Sequence, residues 1–129
     1  MLNLRTEDLE ILDKYPIKCQ ENKAEEDIEV ILKIYNPYGR GVWYVTEAEK
    51  MHDGKDYLLF GYVESPLTPL YNEYGYFTLS ELCELDIPCY VIDVESGYEI
   101  FIGNGSLKID RDFKCGMKMG EILKKLEEG

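Results

Sequence analysis

Between Lys55 and Lys108 the sequence contains no lysine or arginine, and over those 52 residues it carries nine acids: Asp56, Glu64, Glu73, Glu81, Glu84, Asp86, Asp93, Glu95 and Glu99. That half of the chain is excluded as a phosphate-binding surface, because neutralising a nucleic-acid backbone takes clustered Lys and Arg. Histidine is nearly absent too, His52 being the only one. The four cysteines, Cys19, Cys83, Cys89 and Cys115, contain no C-x-x-C pair, so a structural zinc site is not expected and reduced, free thiols are. No metal and no cofactor is expected. Gly39-Arg40-Gly41 lacks the third glycine and the following helix of a dinucleotide loop, and no G-x-S-x-G, H-E-x-x-H, P-loop or EF-hand spacing occurs. No apolar run approaches the roughly 18 residues of a membrane span, and residues 1–8 lack the basic, hydrophobic and small-residue order of a signal peptide. The expectation is a cytoplasmic protein without membrane contact. Internal repeats, linkers and low-complexity tracts are likewise missing.

What is present suits one folded unit. The 129 residues, 45% apolar and 12% aromatic, are read as a single domain, 1–129, of a size that buries roughly 65–70% of its unfolded surface. The net charge is −12 and unevenly placed: residues 106–129 hold six bases against five acids, whereas the middle of the chain is purely acidic. Two readings stand. The acids either solvate strand faces and turns, or form a surface that docks a basic groove on another protein, where complementary potentials steer association. The second implies a protein partner with a basic surface, no direct nucleic-acid binding, and a monomer or small homo-oligomer.

Hydrophobic periodicity predicts an α+β architecture, a mostly antiparallel sheet of six or seven strands with short helices at the N-terminus, mid-chain and C-terminus. Residues 4–14 read as an amphipathic helix with Thr6 as N-cap, stopped by Tyr15-Pro16. Residues 28–35 and 42–48 alternate as strands around the turn residues 36–41, and a polar turn at 50–55 precedes an apolar strand at 57–63. Two prolines make 65–69 a loop. A strand at 73–77 leads into Thr78-Leu79-Ser80-Glu81, an S/T-x-x-E capping box that starts a helix over 79–85. Residues 89–94 and 98–102 form a hairpin, 107–113 a further strand, and 120–128 a terminal helix with Ile122, Leu123 and Leu126 on one stripe.

Candidate site residues fall into two groups. On the predicted strand 107–113, Arg111 shares a face with Ile109 and Phe113, opposite Asp110 and Asp112, and a half-buried arginine needs a carboxylate partner; Glu47 is the first candidate and Glu73 the second. Such a pair either fixes sheet register or lines a polar ligand cleft. Trp43, Tyr44, Tyr62, Tyr74 and Tyr76 either lie on ordinary half-exposed sheet positions or line a binding surface, since aromatics combine contact area with a polar tip.

Four blocks in order carry a family resemblance: Trp43-Tyr44-Val45-Thr46-Glu47, Phe60-Gly61-Tyr62-Val63, Tyr74-Gly75-Tyr76-Phe77-Thr78-Leu79-Ser80-Glu81-Leu82 and Ile109-Asp110-Arg111-Asp112-Phe113. They resemble the bacterial family of domain of unknown function 2958 over about residues 3 to 114. Asp110 stands where that family usually has Glu, and the segment 87–106 is longer than the family's spacing. The resemblance implies a cytosolic protein of plasmids, phages and integrative elements, with no established activity. Two functions follow. The first is a non-catalytic protein-binding module of mobile-element origin, an anti-defence inhibitor occupying a basic nucleic-acid groove being its concrete form. The alternative is a small enzyme or ligand-binding domain with Glu47, Asp110, Arg111 and Asp112 around one cleft, a carboxylate as general base and the arginine holding an anion, or with the carboxylates around a divalent cation. No catalytic residue is assigned.

Overall fold

In the computed structural model, which describes residues 2–65 and 72–128, the first apolar run forms helix α1, Thr6–Lys14. Its cap lies one residue earlier than the sequence predicts. Arg5, in an extended conformation, precedes the helix, and its backbone N–H donates to the Asp8 carboxylate at 2.7 Å, so an acid in the first turn supplies the capping acceptor. Leu12 is fully buried on the inner stripe of α1.

The alternating segments become β1 (Glu29–Val30), β2 (Leu32–Tyr35), β3 (Val42–Met51), β4 (Asp56–Glu64) and β5 (Glu73–Thr78). Helix α2 (Leu79–Glu84) follows, then β6 (Ile87–Ile92), β7 (Glu99–Gly105), β8 (Lys108–Ile109), β9 (Met117–Lys118) and helix α3 (Met119–Glu128). The α+β class and the antiparallel pairing match the expectation, but the strands divide among three sheets. A five-stranded sheet runs in the order β5-β4-β3-β2-β8, and the pairs β1-β9 and β6-β7 stand apart from it. The count exceeds six or seven because three strands, β1, β8 and β9, are two residues long. The predicted proline loop at 65–69 lies outside the described residues beyond Ser65.

β3 continues three residues past Ala48, its predicted end, because Glu49, Lys50 and Met51 still pair with Leu58, Tyr57 and Asp56. The predicted strand 107–113 instead ends at Ile109. There the Asp110 carboxylate accepts from the Asp112 N–H at 3.0 Å and the Phe113 N–H donates to the Asp110 carbonyl at 3.3 Å. An aspartate closing such a turn competes with continued pairing.

The sheet buries both faces unequally. Trp43, Val45, Leu59 and Phe77 meet Leu12 of α1 and Leu79 and Leu82 of α2 in the main core. On the other face, Tyr44 and Val30 meet Met119 and Ile122 of α3. Gly61 lies where β4 runs closest to β3: a Cβ there would collide with the Tyr44 carbonyl, so the Phe60-Gly61-Tyr62 block needs its glycine for packing and not for a turn.

Candidate functional site

Strand register aligns one row of side chains across four strands. Lys33 of β2 stands opposite Tyr44 of β3, Tyr44 opposite Tyr62 of β4, and Tyr62 opposite Tyr74 of β5. Facing residues of an antiparallel pair share a side of the sheet, so the four form a continuous stripe. The Tyr44 and Tyr62 ring centroids are 6.4 Å apart, those of Tyr62 and Tyr74 5.1 Å in an edge-to-face arrangement. Lys33 Nζ lies 5.8 Å from the centre of the Tyr44 ring. A second row joins Glu47, Phe60 and Tyr76, with 4.8 Å between the Phe60 and Tyr76 centroids.

Glu47 belongs to this face only because β3 is irregular. Tyr44 and Val45 pair with Tyr62 and Gly61, but the next pair is Glu47 with Phe60, leaving Thr46 as the extra residue of a β-bulge. Strict alternation would place Glu47 on the Trp43 side; the bulge turns it to the aromatic side. The carboxylate is buried and accepts the backbone N–H groups of Lys18 and Gln20, both at 2.9 Å. Gln20, also buried, ties the same segment to the strands by donating to the carbonyls of Glu29 and Thr46 at 2.9 Å each. The segment before β1 is thereby fixed beside Phe60, Tyr74 and Tyr76, forming one wall of an open pocket of about 470 Å³.

The electrostatics of this face are set by burial and acids. The Tyr44 phenol is pushed up to about 12, by burial first and then by Glu64, Tyr62 and Asp110. Tyr62 is raised by burial and by the Glu64 and Glu25 carboxylates. The Tyr74 hydroxyl is buried without a well-formed hydrogen bond, and burial together with the nearby Glu25 drives its pKa far above the ordinary tyrosine value. These phenols stay protonated at any physiological pH, which makes the row poor proton-transfer machinery; Tyr44 is core beneath α3, with Tyr62 and Tyr74 partly buried against the same cluster. Tyr76, at the edge, is 58% exposed.

The other candidate residues scatter. Trp43 lies in the main core, 7% exposed, and Glu73 is exposed at the start of β5. Asp110 and Asp112 line a separate cavity of about 380 Å³ under α3, together with Lys33 and Tyr44, and Asp110 pairs with Lys33 at 3.4 Å. The expected pairing of Arg111 with Glu47 or Glu73 is wrong. Arg111 Nη1 holds the buried Asp8 carboxylate at 2.8 and 2.9 Å, and Nη2 donates to the Asn3 carbonyl at 3.0 Å. Arg111 sits in a turn and not on a strand, so strand alternation could not orient it. Glu47, Asp110, Arg111 and Asp112 therefore do not surround one cleft. Among the described residues no group of three or more His, Cys, Asp or Glu side chains could hold a metal ion, and no helix is long and apolar enough to cross a membrane. The four cysteines carry free thiols; burial above all raises the pKa of Cys19, Cys83 and Cys115. Asn72 and Ser80 pin the ends of the β4–β5 region; Ser80 lies within the Thr78–Glu81 capping motif read from the sequence, whereas Asn72 was not singled out.

The fold and site define an α+β protein whose central sheet presents an aromatic row beside a buried carboxylate. Residues 4–114 match the family described as Protein of unknown function (DUF2958), and the chain belongs to it. That match ends before β9 and α3. Comparisons with curated proteins and with solved structures find no match.

Proposed function

We propose that this protein is a non-catalytic binding module whose aromatic sheet face receives a cationic side chain from a protein partner with a basic surface. The observation that carries the reading is the aromatic row that runs from the buried Tyr44 through Tyr62 and Tyr74 to Phe60 and the exposed Tyr76 at the β5 edge, with the Glu25 and Glu64 carboxylates nearby. Aromatic faces attract ammonium and guanidinium groups, and nearby carboxylates strengthen the attraction. Lys33 already makes such a contact within the chain, over Tyr44. Around the adjoining cavity, Glu21, Glu25 and Glu47 outnumber Lys18 and Lys23, and Lys23 is committed to Glu29 at 3.0 Å. A partner whose basic groove otherwise takes nucleic acid fits this chemistry, and an anti-defence inhibitor carried by a mobile element is one concrete form.

A lysine- and arginine-rich peptide, titrated while tyrosine fluorescence is followed across a salt series, tests the proposal. Binding is expected, weakening steeply as ionic strength rises, with Tyr76→Ala reducing affinity about threefold to fivefold. Equal affinity of the Tyr76→Ala variant would remove the aromatic row from the interaction. Binding to duplex DNA in preference to the peptide would overturn the reading altogether.

A further inference from the structure

The β6-β7 hairpin is chemically unlike the rest of the surface. Its two strands make their substantial contacts with each other and not with another element. Tyr90, Ile92, Val94, Tyr98, Phe101 and Ile102 are each more than half exposed, Val94 at 96%. Pairing sets Tyr90 beside Phe101 and Val91 beside Ile100, so successive pairs place apolar groups on both faces of the ribbon. An isolated two-stranded ribbon is marginally stable in water, and an apolar surface of this extent marks an interface.

The charge along the arm identifies what covers it. The tip carries Asp93, Glu95 and Glu99, and no base occurs anywhere on the hairpin. Asp93 is engaged in the turn, accepting the Ser96 hydroxyl at 2.7 Å, which leaves Glu95 and Glu99 exposed. At the root, Arg5 of the N-terminal segment and Lys108 of β8 line one groove of about 650 Å³ with Gly105 and Ser106 of the arm's end; Arg111 also lines it, its charge already paired with Asp8, and no acid lines it. Asp86 precedes β6 at this end but is not part of the groove. The arm is thus acidic at the tip, apolar along its length and cationic at the root. A surface with that sequence of properties is complementary to itself turned end for end, which is the condition for a two-fold interface.

We infer that the covering partner is a second copy of this chain, the two hairpins lying antiparallel across a two-fold axis with each acidic tip in the other's cationic groove. Six residues of strand span about 20 Å, more than a Debye length of roughly 8 Å at physiological salt. The repulsion between two chains of charge −12 is therefore screened at range, while the tip-to-groove contacts act at short distance.

Sedimentation equilibrium over a concentration series tests this, on the full chain and on variants at exposed positions that leave the core intact. A monomer–dimer equilibrium is expected. Ile100→Ser with Phe101→Ser abolishes it, and Glu95→Lys or Lys108→Glu each weakens it about tenfold. The double variant Glu95→Lys/Lys108→Glu regains dimerisation to within about threefold of the original. Near-ultraviolet circular dichroism of the core checks that each variant is folded. A chain that is monomeric at every concentration overturns the inference, as does a dimer indifferent to the hairpin substitutions or a double variant no better than its singles. Peptide binding at the tyrosine row is a separate measurement on a separate face, so the two proposals stand or fall independently.

Discussion

Arg111 and Asp8 are separated by 103 residues and joined by a two-toothed ion pair. The arginine side chain is about one-third exposed and the aspartate 6%, so removing the arginine strands a desolvated carboxylate that retains only the Arg5 N–H. Arg111→Ala should destabilise by about 2–3 kcal/mol, read as a shift in the chemical denaturation midpoint. Arg111→Lys should recover little, because Nη1 holds the carboxylate while Nη2 reaches the Asn3 carbonyl, and lysine has one nitrogen and no fixed fork to do both. A midpoint unchanged from wild type in Arg111→Ala would show that the pair carries no stability. That the arginine needs an acidic partner was expected, though from a strand alternation that the turn at Arg111 does not keep. The partner's identity was not legible, since a turn at Asp110 and a helix cap at Asp8 had to meet before either side chain had a direction.

Helix α2 shows how an element joins local and distant signals. Thr78 caps it as the S/T-x-x-E motif requires, its hydroxyl accepting from the Glu81 N–H at 3.3 Å. The stronger clamp comes from β4, where Asp56 accepts the Ser80 N–H at 3.0 Å and the Ser80 hydroxyl at 2.7 Å. Burial works to raise the Asp56 pKa, but hydrogen bonds from Ser80 and Tyr57 outweigh it and hold the carboxyl below its ordinary value. A depressed folded pKa contributes stability that is complete above the unfolded value, about 3.9, and is lost as pH falls through the folded value. Asp56→Asn should therefore be less stable than wild type at neutral pH, with the gap closing below about pH 4. Parallel melts at both pH values decide it; a gap that persists in acid would assign the loss to shape and not to charge. The β3 bulge teaches the same lesson in reverse. Residues 42–48 were legible as a strand, yet one extra residue at Thr46 moved Glu47 to the opposite face. No periodicity argument registers a bulge, because it is the pairing with β4 that makes the residue extra.

At the scale of the whole molecule, charge is the dominant property. Five ion pairs among the described residues engage a minority of the 26 acids, and the nine acids between Lys55 and Lys108 are distributed over β4, β5, α2, the link at Asp86 and the hairpin. Self-repulsion should oppose folding, so the melting temperature is expected to rise as sodium chloride is added at neutral pH. A fall would mean that local pairs such as Arg111–Asp8 outweigh the net field.

The sequence by itself determined the α+β class, the place of most strands and helices, the acidic middle and the family. These follow from spacing, turn chemistry and composition, which act between residues close in the chain. Tertiary structure alone decided that Tyr44, Tyr62 and Tyr74 form one row, that Trp43 turns away into the core, and that the hairpin stands outside the main sheet with a cationic groove at its root. The apolar runs at 89–94 and 98–102 read the same whether a neighbour covers them or not. Period-two alternation reports which faces are apolar; only the register of distant strands determines what, if anything, those faces meet.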